Sequence, residues 1–146
     1  MTLKNLLQIG RLKPHATDRD EIQRLLEAAR RNLADAEVTA VSLETRFDAA
    51  YKAIMQVALV ALMANGYRPD TKTPGHHATL VQSLTKTIGL PAGRMVVLDA
   101  LRKKRNLSDY SGVWVDETST ASCIAESKEL LREVERWLAV NRPELV

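Results

Sequence analysis

Phe47-Asp48-Ala49-Ala50-Tyr51-Lys52-Ala53-Ile54-Met55-Gln56-Val57-Ala58-Leu59-Val60-Ala61-Leu62 is the stretch on which the fold turns. Phe47, Tyr51, Ile54, Ala58 and Leu62 recur at helical spacing and make one stripe. Val57, Leu59, Val60 and Ala61 cover the other sides of the same helix. A helix that is apolar all round has no face to offer water, so several neighbours must cover it. The pattern predicts a central helix over about residues 41–65. Asn65-Gly66 supplies its left-handed stop and Arg68-Pro69 its exit.

The flanking segments supply the neighbours. Residues 1–16 form a weakly patterned lead-in closed by Pro14. Thr17 or Asp18 caps a first long helix, whose opening acids Asp20 and Glu21 favour its dipole. Ile22, Leu25, Leu26, Ala29 and Leu33 make its inner face. A polar loop over residues 66–77 leads to a shorter helix near 77–88, carrying Leu80, Val81, Leu84 and Ile88 and ended by Gly89. Pro91 opens the next helix as a first-turn proline. After Gly112 a final helix spans about 118–140 and buries Ile124, Leu130, Leu131, Val134, Trp137 and Leu138. No run alternates with a period of two for long enough to build a sheet. The expected fold is therefore all-α: a single domain over residues 1–146, an up-down bundle of four main helices plus a short additional helix. Its expected core includes Phe47, Tyr51, Ile54, Ala58, Leu62, Leu84, Leu98, Leu101, Leu131, Val134 and Leu138.

Composition narrows the function. A chain of 146 residues, 45% hydrophobic and 27% charged, buries a real core without staples. With Cys123 as its one cysteine, no internal disulfide forms, and a reducing cytoplasm is the expected setting. No charged leader followed by a long apolar run opens the chain, and the most apolar stretch, Ala53 to Ala64, is too short to cross a bilayer. The net charge of +3 permits an anionic partner. The imbalance is local: residues 94–105 hold Arg94, Arg102, Lys103, Lys104 and Arg105 against Asp99.

That basic run continues as Leu101-Arg102-Lys103-Lys104-Arg105-Asn106-Leu107-Ser108-Asp109-Tyr110. On one helix Arg102, Arg105 and Asp109 stand at i, i+3 and i+7, in line with Leu98 and Leu101. Charges that continue an apolar stripe lie at a packing seam. Two guanidiniums held there make either a fork for a phosphate or a clamp on a carboxylate.

Other constellations are few. The chain has no phosphate-loop glycine pattern, no GxSxG, no CxxC and no HExxH. His76-His77 is the one histidine cluster, but adjacent helical residues diverge by about 100°, which prevents a shared metal. Beside Pro74-Gly75, a cap or loop role is expected for one of them. Neither a metal nor a cofactor is expected. Cys123 reads as a small core residue without a base to activate it. Trp114 and Trp137 read as core anchors, and aromatic content of 4% is too low for a stacking platform.

Taken in order, several segments resemble the HEPN domain family. They are Arg46-Phe47-Asp48-Ala49-Ala50-Tyr51-Lys52-Ala53, Gly66-Tyr67-Arg68-Pro69, Gly75-His76-His77, and Leu101 to Asn106 leading to Asp109-Tyr110. The resemblance covers about Thr17 to Pro143. It implies a small helical bundle, pairing as a homodimer that brings two basic motifs into one cleft. It also implies membership among ribonucleases, toxins of toxin–antitoxin pairs and defence proteins, or partnership with a minimal nucleotidyltransferase.

Nuclease members of the family carry Arg, four to six residues, then His. Here Arg105-Asn106 matches the opening, but Asp109 and Tyr110 stand where the histidine is expected. Cleaving RNA without a metal requires one group to activate the 2′-hydroxyl and another to protonate the leaving oxygen, work suited to imidazole near neutral pH. An aspartate paired with Arg105 is a poor acid. The expected function is binding of RNA or a nucleotide through Arg102, Arg105 and Asn106, with Asp109 orienting Arg105 and Tyr110 stacking on or hydrogen-bonding the ligand. The rival readings are a metal-independent ribonuclease toxin using Arg105 and Asp109, and a non-catalytic adaptor partnering a nucleotidyltransferase or an antitoxin.

Overall fold

The computed structural model describes residues 1–146. Its elements are α1 (Leu3–Gln8), β1 (Leu12–Pro14), α2 (Arg19–Ala36), α3 (Leu43–Ala64), β2 (Tyr67–Pro69), α4 (His76–Thr87), α5 (Ala92–Ser111) and α6 (Glu117–Asn141), with a final 3₁₀ turn at Pro143–Leu145. Asp18, Ser42 and Asp116 cap α2, α3 and α6, each side chain accepting from the backbone N–H three residues on. The fold is an all-α bundle carrying one small two-stranded ribbon.

Helix α3 is the axis. Thirteen of its 22 residues are buried, from Phe47 and Ala50 to Met63 and Ala64. By length and apolarity alone it could cross a membrane. Here α2, α4, α5 and α6 all pack on it. Ala50, Ala53, Ala58, Ala61 and Ala64 keep it slim and let its neighbours approach. Helix α6 uses that closeness. Thr120 Oγ1 donates to Leu43 O (3.5 Å), Cys123 Sγ to Phe47 O (3.8 Å) and Ser127 Oγ to Ala50 O (2.6 Å). These residues step along both helices together, so α6 runs parallel to α3 with small hydroxyl and thiol groups against its backbone.

Helix α2 runs the other way. Arg46 Nε donates to Ala36 O (2.8 Å) near one end of the pair, and Asn32 Nδ2 to Gln56 Oε1 (2.8 Å) further along. Helix α5 is also reversed relative to α6. Arg94, in its first turn, reaches Glu126 and Glu133 at 3.0 and 2.8 Å, while its far end leads into Asp116 and α6. The four long helices therefore alternate in direction. Helix α4 is the short addition. After Gly66, at φ 93°, strand β2 carries the chain back down α3, and α4 then rises beside it. Tyr51 meets His77 low on the pair, and Asn65 Nδ2 meets Thr87 O (3.4 Å) at the top.

Phe47, Tyr51, Ile54, Ala58, Leu62, Leu84, Leu98, Leu101, Leu131, Val134 and Leu138 are all buried, as expected, while Trp137 is only partly buried. The lead-in differs from expectation. It folds as α1, with Thr2 as its cap, and as β1, which pairs antiparallel with β2 through Leu12 opposite Pro69 and Pro14 opposite Tyr67. Three residues ending in proline carry no alternation to read, and their order comes from a partner more than fifty residues away. Trp114 is 80% exposed and is not the core anchor its type suggested.

Leu98 is one of only two buried residues on α5, so it anchors the helix that carries the basic run. Leu98→Ala should destabilise the protein by about 2–5 kcal/mol in urea unfolding. A loss well under ~1 kcal/mol would contradict the packing described.

Candidate functional site

Helix α5 presents its basic run at the seam between α3 and the first turn of α4. The two arginines expected to act together do not form one fork. Arg102 Nε donates to Asp99 Oδ1 at 2.8 Å, one turn back, with both side chains largely buried. Lys103 Nζ lies 3.6 Å from the other oxygen. The hydrogen bond from Arg102, and then the charges of Arg102 and Lys103, hold the Asp99 carboxyl below its usual range. Arg102 is thus a clamp.

Arg105 is placed differently. Its Nε lies 2.9 Å from Asp109 Oδ2, the orienting contact expected from the sequence. The N–H does not point at that oxygen and finds no hydrogen-bond acceptor, so the pair is an ionic contact that leaves a buried donor unspent. The guanidinium sits 5.2 Å from the centre of the Tyr51 ring, within reach of a cation–π attraction. Arg105 is therefore held by an aromatic ring on one side and a carboxylate on the other. Asn106 is half-buried and outside the cleft wall, and Tyr110 is 84% exposed.

The cleft beside Arg105 has a volume of about 400 Å³ and is lined by Asp48, Tyr51, Lys52, Met55, His77 and Arg105. The four residues from α3 stand at i, i+3, i+4 and i+7, one face of one helix. That spacing was visible in the sequence as a polar interruption of the central helix. Lys52 is exposed at the rim and Tyr51 is buried at the floor.

His77 comes from the first turn of α4, entered through Gly75 in the left-handed region at φ 85°. Its Nδ1 lies 3.2 Å from the Tyr51 hydroxyl oxygen, while the His76 ring packs edge-on against it with centres 4.7 Å apart. The two rings do not diverge as expected but pack together, and His77 lines the cleft from the first turn of α4.

The titrations are ordered by burial and by charge. Burial pushes the Tyr51 phenol up to about 12, against the pull of Arg105 and Arg102. Burial also pushes the His77 imidazole down, helped by His76, Arg105 and Arg102, so the neutral ring is favoured. The Asp48 carboxyl is raised, first by desolvation and then by the charge of Asp109, with Arg105 opposing. No cluster of three or more metal-ligating side chains is present. The cleft thus carries the Arg105 guanidinium and the Lys52 ammonium, set against the Asp48 carboxyl and the Asp109 partner of Arg105, with a His77 ring that burial keeps neutral. The chain matches no protein-family model and no curated protein sequence.

Asp48 gives this electrostatic account a test. Its folded carboxyl binds a proton more tightly than an unfolded chain does. The stability linked to it is therefore fully present below about pH 3.9 and is lost as pH rises through the elevated folded value. Asp48→Asn should stabilise the protein at neutral pH and raise its melting temperature, the gain being less than about 1 kcal/mol because the side chain is exposed. The gain should vanish near pH 3. Thermal melts at both values check this, and a loss of stability at neutral pH would contradict it.

Proposed function

We propose that this protein is a HEPN-like dimer that binds RNA or a nucleotide by seating a phosphate in the cleft between α3, α4 and α5. The observation that carries the reading is the mounting of Arg105. An arginine stacked on a buried tyrosine and steered by a carboxylate, yet 30% exposed beside an open cavity, has little rotamer freedom left to lose on meeting a ligand. Lys52 adds a second positive charge at the rim. Arg102, paired with Asp99, holds α5 in shape and does not line the cleft.

Tyr110 and Trp114, both strongly exposed at the end of α5, offer aromatic faces to bases on a strand leaving the cleft. Val96, Val97 and Leu107 are also exposed on α5. They supply the apolar surface on which two copies would pair, α5 against α5, bringing two basic runs together.

Binding is tested with a fluorescent single-stranded RNA. Affinity should fall with salt, with a slope of about −0.7 for each phosphate neutralised. Arg105→Ala combined with Lys52→Ala should weaken binding at least tenfold at unchanged helix content by circular dichroism. Unchanged affinity would overturn the assignment.

For the dimer, sedimentation equilibrium should give twice the 16.3 kDa chain mass at micromolar concentration. Leu107→Glu should halve it. A monomer before mutation would remove the paired cleft.

A further inference from the structure

We propose that the pocket between α1, the β1–β2 ribbon and α4 is a separate anion site, which seats one phosphate monoester group between Arg11 and Lys86. The pocket has a volume of about 150 Å³ and is lined by Met1, Leu6, Arg11, Thr79, Gln82 and Lys86. It holds two cationic side chains, two neutral polar ones and no carboxylate. Sites for whole drug-sized molecules start at about 300 Å³, so a single tetrahedral group on a short stem is the occupant that fits. Two cations with no acid between them favour a dianion, which a phosphate monoester largely is at neutral pH.

Helix α4 turns this pocket away from the cleft. Thr79, Gln82 and Lys86 stand at i, i+3 and i+7 and share one face of the helix. At about 100° per residue, that face lies roughly 140–200° round from His77. The two sites therefore back onto opposite sides of α4. Arg11 reaches the other wall on a fixed backbone: its N–H donates to Leu6 O and its C=O accepts from Asp70 N–H, both at 3.0 Å. The Arg11 and Lys86 side chains are exposed and enter none of the protein's ion pairs. Asp70, the acid beside Arg11, is engaged elsewhere. Its carboxylate accepts from the Lys72 backbone N–H at 3.0 Å, and that bond, with the charges of Lys13 and Lys72, holds it below its usual range.

Two observations point to an anion. The first is the charge on the ribbon. Arg11, Lys13 and Arg68 alternate with the buried Leu12 and Pro69, so they share its outer face. Lys13 stands directly opposite Arg68, and like charges in that position repel. A bound anion beside Arg11 relieves the repulsion. The second is Thr79, a buried residue whose hydroxyl reaches Gly75 O only at 3.4 Å. That is beyond the usual limit of about 3.0 Å for such a bond. A donor held so loosely is free to turn to an anion oxygen. Gln82 offers its amide N–H groups from the same face, and Leu6 supplies an apolar wall for the stem of the ester.

The test titrates isotope-labelled protein with inorganic phosphate and follows the amide signals by nuclear magnetic resonance. Saturable shifts should appear at Arg11, Thr79, Gln82 and Lys86, and sodium chloride at matched ionic strength should not reproduce them. Arg11→Gln combined with Lys86→Gln changes two exposed positions. It should weaken phosphate binding at these amides about tenfold or more, the loss expected of charge-assisted hydrogen bonds, while the amides around His77 and Arg105 respond as in the parent. Thr79→Val, which keeps the side-chain shape and removes the hydroxyl, should weaken it less. A 5′-phosphorylated oligonucleotide and its 5′-hydroxyl counterpart distinguish the two sources of the group. Shifts at these amides with the phosphorylated strand alone mark a strand end as ligand, and shifts with inorganic phosphate but neither strand mark a free phosphate. No saturable shift at the four amides, equal shifts with chloride, or shifts that survive the double variant overturn the site, whatever RNA binding at the cleft returns.

Discussion

The structure depends on a helix that water cannot be allowed to touch. Helix α3 is apolar on every side, and covering it requires neighbours all round. The long helices α2, α5 and α6 answer part of that demand. The space left is closed by α4, which the chain reaches only by turning back along α3 through β2. The short helix is therefore a consequence of the central helix, and so is the position of its first turn. Had α3 carried one polar face along its length, there would be no call for a helix at that place and His77 would lie elsewhere.

Tyr51 joins this packing constraint to the candidate chemistry. It is 3% exposed, and its ring belongs to the core stripe with Phe47, Ile54, Ala58 and Leu62. Its hydroxyl nevertheless ends at the cleft floor beside His77, and one ring face carries Arg105. A buried tyrosine that completes its hydrogen bonding at a cavity wall gives the groups resting on it the rigidity of the core. Disturbing the core near Ile54 is therefore expected to loosen the site as well. Asp48, Lys52 and Met55 are held by the same helix at the same face, so the wall of the cleft is as well ordered as α3.

What could be read from the sequence follows the range of each interaction. The long helices were legible because their apolar residues recur every three or four positions and their ends carry Asp18, Asn65-Gly66, Gly112 and Asp116. The pair of Arg105 with Asp109 was legible because it spans four residues of one helix. Asp99 with Arg102, three residues apart, was equally local, but the sequence reading set Arg102 beside Arg105 and missed it. The ribbon of β1 and β2 was not legible, since Leu12–Pro14 is ordered only by Tyr67–Pro69. The meeting of Tyr51 with His77 was hidden for the same reason: it crosses 26 residues and a chain reversal. Asp48, Lys52 and Met55 share a helix face with Tyr51, but the sequence reading took that helix as core, and only the fold brought the two walls of the cleft together.

The same separation of near from far explains why a basic run need not make a basic surface. Arg94 is spent between Glu126 and Glu133, Arg102 on Asp99, and Lys103 in part on the same carboxylate. These pairs fasten α5 to α6 and to itself, and a charge already matched by a near carboxylate adds little to the field felt by a distant polyanion. Arg105 is also matched by a carboxylate, Asp109 at 2.9 Å, but it keeps an unused N–H and a face on the Tyr51 ring beside the open cleft. The net charge of +3 therefore overstates the positive field the basic run presents. If the cleft binds an anion as proposed, the arrangement favours a narrow footprint, one or two phosphates at Arg105 and Lys52, over a broad electrostatic stripe. Such a footprint binds modestly and depends on geometry for its selectivity. The residues that set that geometry, Tyr51 beneath and His77 beside, then govern the site's behaviour as strongly as the cations themselves.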